Sequence, residues 1–295
     1  MKKIIICSSF YENGRKYLED FFNSIHKVKL NNTQELILNI VVDDLLNPYF
    51  IIKKYSDKIN INLNITKEEH SITQIRNILI KSALDLQGDA LIFIDMDDLI
   101  SEDSLQTHLD ALKNADISYG DMSIVDENKK YLDKNLFDNI DLPDFIEDYK
   151  PLLKGNFMGL SNTAIKTSSL KKYFLDVPKH LVATDWWLYT MLLYQGCTAK
   201  KTRLKVSSYR QHQSNVLGYN NNVNLENFIS TCHIAEEHFE SLPEIEDFKI
   251  ALEQVRLVKK EAINNPLESL KLLKNEKNNR TIWFSDIFSV YNDMV

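Results

Sequence analysis

Apolar and polar positions follow two distinct rhythms along the first hundred residues. Short β-branched runs at Ile4–Cys7, Leu38–Val42, Ile59–Ile65 and Ala90–Ile94 are bounded by polar or turn residues and have the length of buried strands. Between them the apolar spacing is helical. Tyr17, Leu18, Phe21, Phe22 and Ile25 share one face, and Ile72, Ile75, Ile78, Leu79, Ala83 and Leu86 share another. Gly88-Asp89 marks the stop before the next strand. Strand and helix in alternation predict an α/β fold with a mainly parallel sheet flanked by helices. In open sheets of that kind ligands sit at the carboxyl ends of the strands. Two of those ends are acidic: Asp43-Asp44 after the second run, and Asp95-Met96-Asp97-Asp98 after the fourth.

After residue 100 the pattern loosens. The Pro-containing acidic stretch Asp138–Asp148 predicts a loop, and Thr184–Gly196 predicts a helix carrying Trp186, Trp187, Leu188, Met191 and Leu192. A polar break at Gly218-Tyr219-Asn220-Asn221-Asn222 places a boundary near residue 220. Beyond it, Asn227–Leu242 and Pro243–Asn264 are helical in period with no strand candidate, so 219–295 is expected to be a C-terminal helical extension.

Composition narrows the function. The 295 residues are 44% hydrophobic and 26% charged, the mix of a folded globular chain. The balance of 35 Lys and Arg against 42 Asp and Glu, 35 − 42 = −7, argues against nucleic acid as a partner, which needs a basic surface. With 7 glycines and neither GxGxxG nor GxxxxGKS, the sequence argues against a glycine-rich phosphate cradle of the P-loop or NAD type. Three scattered cysteines, Cys7, Cys197 and Cys232, without a CxxC pair predict reduced thiols. The opening Met1-Lys2-Lys3 and its apolar run are interrupted by Glu12 and Arg15, too soon for a signal peptide. The expectation is a cytoplasmic protein, with peripheral contact at the inner face of a membrane still compatible.

Five segments carry candidate chemistry. In the Asp95–Asp98 segment, the i, i+2 spacing of Asp95 and Asp97 at a strand end can aim two carboxylates at one hard cation; the alternative is a polar turn before a helix starting near Ser101. An EF-hand is excluded, because Ile100 and Gln106 stand at its sixth and twelfth loop positions, and an aspartyl-phosphatase DxDxT pattern fails at Leu99. Asp43-Asp44 can accept from a base or a ribose, or form an exposed turn. Arg76, beside Asn77, can reach a diphosphate or a site carboxylate, or point to solvent. Asp185, between Thr184 and Trp186-Trp187, is either at a helix cap or a desolvated general base. His212, in Tyr209-Arg210-Gln211-His212, is either structural or part of an anion or metal site.

In this order the segments resemble family 2 glycosyltransferases of the GT-A type. Val41-Val42-Asp43-Asp44 is similar to that family's Val-Asp-Asp strand end, Ile75-Arg76-Asn77 to its Ala-Arg-Asn helix, and Phe93-Ile94-Asp95-Met96-Asp97-Asp98 to its Phe-Leu-Asp-x-Asp-Asp signature. Tyr119-Gly120-Asp121 and Gly155-Asn156-Phe157 resemble acceptor-half segments, Thr184-Asp185-Trp186 its Glu-Asp-Trp, and Tyr209–His212 its Tyr-Arg-x-His. The likeness spans residues 3 to 218, with Leu45-Leu46 in place of the family's Gly-Ser and no proline in the opening Cys7–Asn13 turn.

The resemblance implies a Rossmann-like GT-A domain over 1–218, with a nucleotide-binding half to about residue 100 and an acceptor half over 101–218. It implies inverting transfer from a nucleotide-diphosphate sugar to a saccharide or lipid-linked acceptor, in surface polysaccharide or glycolipid assembly. Ser9, Tyr11, Asp43, Asp44, Arg76 and Asp95 would bind the nucleotide. Asp97, Asp98 and His212 would hold Mn²⁺ or Mg²⁺ on the diphosphate, and Asp185 would be the base. Trp186 and Arg210 would meet acceptor or phosphate. The competing readings are a metal-dependent nucleotidyltransferase or phosphohydrolase, and a non-catalytic sugar-nucleotide binder.

Overall fold

Ile4 to Phe10 are all buried, and their side chains alternate between two hydrophobic cores, as the two-residue period of a strand requires. Ile4, Ile6 and Phe10 join one core; Ile5 and Cys7 join the other. This strand, β1 (Lys2–Phe10), is the middle of the fold in a computed structural model that describes residues 2–57, 59–66, 70–138, 140–212, 224–275 and 282–294. Parallel to it run β2 (Gln34–Val42) and β4 (Ala90–Phe93), and β3 (Asn60–Ile65) lies parallel to β2. The alternation recurs in the fourth strand and just past it: Ala90, Ile92 and Ile94 face the core under α1 (Leu18–His26), while Leu91 and Phe93 face the core under α3 (Ile72–Asp85). A capping box starts α3, with the Ser71 hydroxyl accepting from Gln74 N–H and the Gln74 side chain returning to Ser71 N–H.

The expected stop at Gly88-Asp89 has a different local cause. Gln87, not Gly88, takes the left-handed conformation, at φ 55°. Gly88 is needed for closeness, since a Cβ there would lie 2.7 Å from Ile5.

The short helix α2 (Phe50–Tyr55) links β2 to β3. Past β4 the sheet turns mixed. β5 (Leu99–Ile100) leads into α4 (Ser104–Leu112), then β6 (Ile117–Tyr119), β7 (Met122–Val125), β8 (Tyr131–Asn135) and β9 (Phe145–Ile146). β10 (Thr163–Lys166) and α5 (Thr167–Tyr173) precede α6 (Thr184–Tyr194), β11 (Ala199–Lys201) and β12 (Ser207–Arg210). The large sheet has the order β3-β2-β1-β4-β10-β6-β11-β9, in which β10 and β9 run antiparallel to their neighbours. A second sheet, β5-β12-β7-β8, stands at the mouth of the first. Apart from β9, the described part of the Asp138–Asp148 stretch is irregular, as the sequence predicts.

Four helices follow: α7 (Leu225–Glu240), α8 (Glu246–Asn264), α9 (Pro266–Asn275) and α10 (Ser285–Met294). They share one continuous core with α6, in which the Trp186 ring stacks on His238 at 3.9 Å and on Phe284 at 4.6 Å. The boundary expected near residue 220 lies outside the described residues. The three cysteines are free and buried. Among the described residues no helix is long and apolar enough to cross a membrane.

Candidate active site

The carboxyl ends of β1, β2 and β4 open into one cavity of about 470 Å³. The β1 end contributes Ser9, Phe10 and Tyr11, the β2 end Asp43, and the β4 end Asp95, Asp97 and Asp98. From the other side come Ile75 and Arg76 of α3, Tyr209 of β12, Asp185 of α6, and Trp283 and Phe284 just ahead of α10.

The acidic turn separates three carboxylates that look alike in sequence. Asp98 N–H donates to Asp95 O at 3.1 Å, which closes the turn. Asp95 forms an ion pair with Arg76, whose Nη1 also donates to Ser9 Oγ at 3.2 Å. Asp95 N–H donates to Ser161 Oγ at 3.0 Å. Asp97 Oδ2 lies 2.8 Å from His212 Nε2, joining residues far apart in the chain. Asp98 is 2% exposed and its Oδ1 accepts from Arg210 N–H at 2.9 Å. Burial, together with the charges of Asp97 and Asp95, pushes the Asp98 carboxyl well above the usual aspartate range.

Arg210 is buried beneath this turn. Its Nε donates to Asp97 O at 2.7 Å, its Nη1 to Glu127 O at 2.8 Å, and its Nη2 pairs with Asp20 at 3.1 Å. Its guanidinium also lies 4.6 Å from the Tyr17 ring centroid, and the same ring stacks on His212 at 5.3 Å. The fork of donors thus supports the turn and orients His212; it does not line the cavity. Trp186 is likewise absent from the lining: it is fully buried, and its indole N–H donates to Leu152 O at 2.9 Å. Its neighbour in sequence, Asp185, does line the cavity, because the first turn of α6 aims successive side chains in different directions.

Burial is the main force on Asp185. It raises the carboxyl from the ordinary 3.8 to about 6, opposed by the hydrogen bond from Trp186 N–H at 2.9 Å. The group is therefore ionised at neutral pH and close enough to it to exchange a proton. Tyr11 is held un-ionised by burial and by the nearby Asp97 and Asp95. Asp43 Oδ1 accepts from Thr66 Oγ1 at 3.1 Å. Asp44 is exposed in a left-handed turn at φ 47° and lies outside the lining, its carbonyl accepting from Glu12 N–H. Among the described residues no three His, Cys, Asp or Glu side chains converge on a common metal position.

Of the cavity's polar lining, Ser161, Asn156 and Tyr209 were not singled out as site residues by spacing, and Trp283 lies beyond every motif. The segment that resembles an acceptor half, Gly155-Asn156-Phe157, was the one signal available for Asn156.

The mainly parallel sheet flanked by helices, with its cavity over the carboxyl ends of β1, β2 and β4, is a GT-A-like fold shared with the solved structures that follow. Among solved structures, S. aureus TarS 1–349 in complex with UDP-GlcNAc matches with a TM-score of 0.62 at 19% identity, over 94% of this chain and 78% of that one. TarS 1–349 without a named ligand gives 0.60 at 17%, over 100% and 82%. The mannosyltransferase PcManGT from Pyrobaculum calidifontis, in complex with GDP-Man and Mn²⁺, gives 0.57 at 13%, over 99% and 86%. The sequence matches no protein-family model and no curated protein. At these identities the likeness establishes the fold.

Proposed function

We propose that the protein is an inverting glycosyltransferase of the family 2 type. In this proposal it moves a sugar from a nucleotide-diphosphate donor to a hydroxyl of a saccharide or lipid-linked acceptor. The observation that carries the proposal is that one cavity is lined both by Asp97, whose carboxylate meets His212 behind it, and by the half-buried Asp185 at the start of α6. The fold's neighbours support it, one being in complex with UDP-GlcNAc and one with GDP-Man and Mn²⁺.

The residues divide the work by charge. Asp185 accepts the proton of the acceptor hydroxyl as its oxygen bonds to the sugar's anomeric carbon, and the bond from that carbon to the diphosphate breaks with its electron pair. Attack opposite the leaving group inverts the centre. Arg76, held by Asp95 and Ser9, and the carboxylate of Asp43 orient the nucleotide part. With Arg76, the one arginine of the described lining, already paired to Asp95, the carboxylates of Asp43, Asp97 and Asp185 would repel a diphosphate unless a cation accompanied it. Asp97 and His212 would hold such an ion: carboxylate oxygen suits both Mg²⁺ and Mn²⁺, and the imidazole favours Mn²⁺ of the two. Bound there, Mn²⁺ or Mg²⁺ neutralises charge developing on the leaving diphosphate. Asp98, whose buried carboxyl group accepts from the Arg210 N–H, steadies the turn in this scheme. Residues 1–218 form the transferase domain and 219–295 a helical extension, working in the cytoplasm or at the membrane's inner face.

Thermal denaturation with UDP, GDP, UDP-GlcNAc and GDP-Man, each with and without Mn²⁺, tests this. A native-state ligand at a hundred times its Kd adds about 2.7 kcal/mol. One nucleotide should raise the melting temperature only with Mn²⁺, and Asp97→Ala should remove that dependence without lowering the melting temperature of the free protein. His212→Ala should weaken it. If no nucleotide stabilises the wild type with Mn²⁺, the proposal is wrong.

A further inference from the structure

Asn156 is 1% exposed, yet it belongs to the lining of the cavity. Its Oδ1 accepts from Met158 N–H at 3.0 Å, which fixes the amide's orientation and leaves Nδ2 as the inward donor. Nδ2 makes no hydrogen bond among the described residues. The nitrogen is therefore a donor held in a fixed direction and reached from the cavity, where an acceptor atom of a bound ligand can complete it.

The backbone of Asn156 is tied in both directions to Trp283, by N–H to O distances of 2.8 and 3.1 Å. Two glycines make that docking feasible. A Cβ on Gly155, which has φ 142°, would lie 2.8 Å from Trp283 O, and one on Gly159 would lie 3.1 Å from the indole ring. The half-buried Trp283 ring stands edge-on to Tyr209 at 6.3 Å and lines the cavity with no partner for its N–H among the described residues. Phe284 stacks on Trp186, the residue after Asp185, so this wall adjoins the proposed base.

We infer that Trp283 and Asn156 form the acceptor subsite, and that its ligand is a pyranose ring. The apolar C–H face of the ring lies on the indole, and a ring hydroxyl accepts from Asn156 Nδ2. A cyclic saccharide presents such a face, whereas an open-chain polyol does not. The inference rests on the glycosyl-transfer proposal for its choice of acceptor over donor sugar.

The test is saturation-transfer NMR and calorimetry with methyl glycopyranosides of glucose, N-acetylglucosamine, galactose and mannose, with sorbitol as the open-chain control, in the presence of UDP or GDP and Mn²⁺. At least one glycoside should bind the wild type more tightly than sorbitol. Trp283→Ala and Asn156→Ala should each weaken it by about tenfold or more, while Trp283→Phe, which keeps a flat face, stays within about threefold. Nucleoside-diphosphate affinity should be unchanged in all three, and Trp283→Phe guards against a folding defect in the alanine variant. Glycoside binding indifferent to Trp283, equal binding of sorbitol, or no glycoside binding overturns the subsite. So does a nucleotide-sugar that binds more tightly than its nucleoside diphosphate and loses that increment in Trp283→Ala, which would assign the ring to the donor. Trp283-dependent glycoside binding in a protein that binds no nucleotide would instead overturn the transfer proposal and leave the subsite standing.

Discussion

Replacing Asp185 by Asn should make the protein more stable and far less active. The carboxyl rises from 3.8 to about 6 on folding, chiefly because burial disfavours its charge. At 1.36 kcal/mol per pKa unit, that rise costs the ionised state about 3 kcal/mol of stability. The sign follows from the direction. A raised carboxyl favours the protonated folded state, so the stabilisation is present below the unfolded value and is lost as pH rises through about 6. Asn keeps the shape and cannot ionise. Near pH 8, without nucleotide or metal, the variant should therefore melt higher by up to roughly 6–12 °C, taking about 2–4 °C per kcal/mol. Below about pH 4 the two proteins should converge. Transfer should fall by about 10² to 10⁴-fold, the usual contribution of a positioned base, with donor affinity preserved, and the wild-type rate should decline as pH drops through about 6. Paired melting curves across pH and turnover of both proteins decide it. A variant less stable than wild type near pH 8, or one keeping more than about a tenth of the rate, refutes the reasoning.

Arg210→Ala should destabilise by about 3–5 kcal/mol, because it leaves Asp20 and the Asp97–Asp98 turn without their buried partner; urea unfolding measures this. A loss under about 1 kcal/mol would mean that the buried network is dispensable. Gly155→Ala should cost about 1–3 kcal/mol through its left-handed backbone and its contact with Trp283 O. It should also weaken glycoside binding, and a variant as stable as wild type would show that the Trp283 segment yields freely.

The first hundred residues were legible because buried parallel strands appear as unbroken apolar runs and their covering helices keep a 3.6-residue period. The second half was not, for reasons of length and separation. β5 and β9 are two residues each, too short to show any period. β5 pairs with β12 across more than a hundred positions, Leu99 opposite Ser208. Helix α4 is expected only as a start near Ser101, and α10 only as part of the helical region 219–295 without bounds of its own, since its packing partners lie far back in the chain. The same separation hid the site's far wall. Asp97 and His212 were linked by the order of family motifs, not by any local spacing. Trp186 and Asp185 were read together as neighbours, whereas one helical turn sends the first into the core and the second into the cavity.

The acidic turn shows why a motif names residues without assigning them. Asp95, Asp97 and Asp98 are equivalent as carboxylates, and a divalent ion could in principle take any two. Their differences arise from what later segments bring. Arg76, from the preceding helix, neutralises Asp95. Arg210, from β12, offers Asp98 a backbone N–H while its guanidinium grips Asp97 O and Asp20, so the chain is clamped at two successive residues. Only the side chain of Asp97 is left facing His212, the next residue but one along the same segment. The order Tyr209-Arg210-Gln211-His212 therefore does two jobs at once. Alternation in an extended strand and its continuation turns the even-numbered residues Arg210 and His212 toward the acidic turn, one to fix its backbone and one to meet its free carboxylate. Tyr209 points the other way, into the cavity beside Trp283. A single short strand thus couples the proposed metal end to the proposed acceptor end. A one-residue slip in its register would disable both at once.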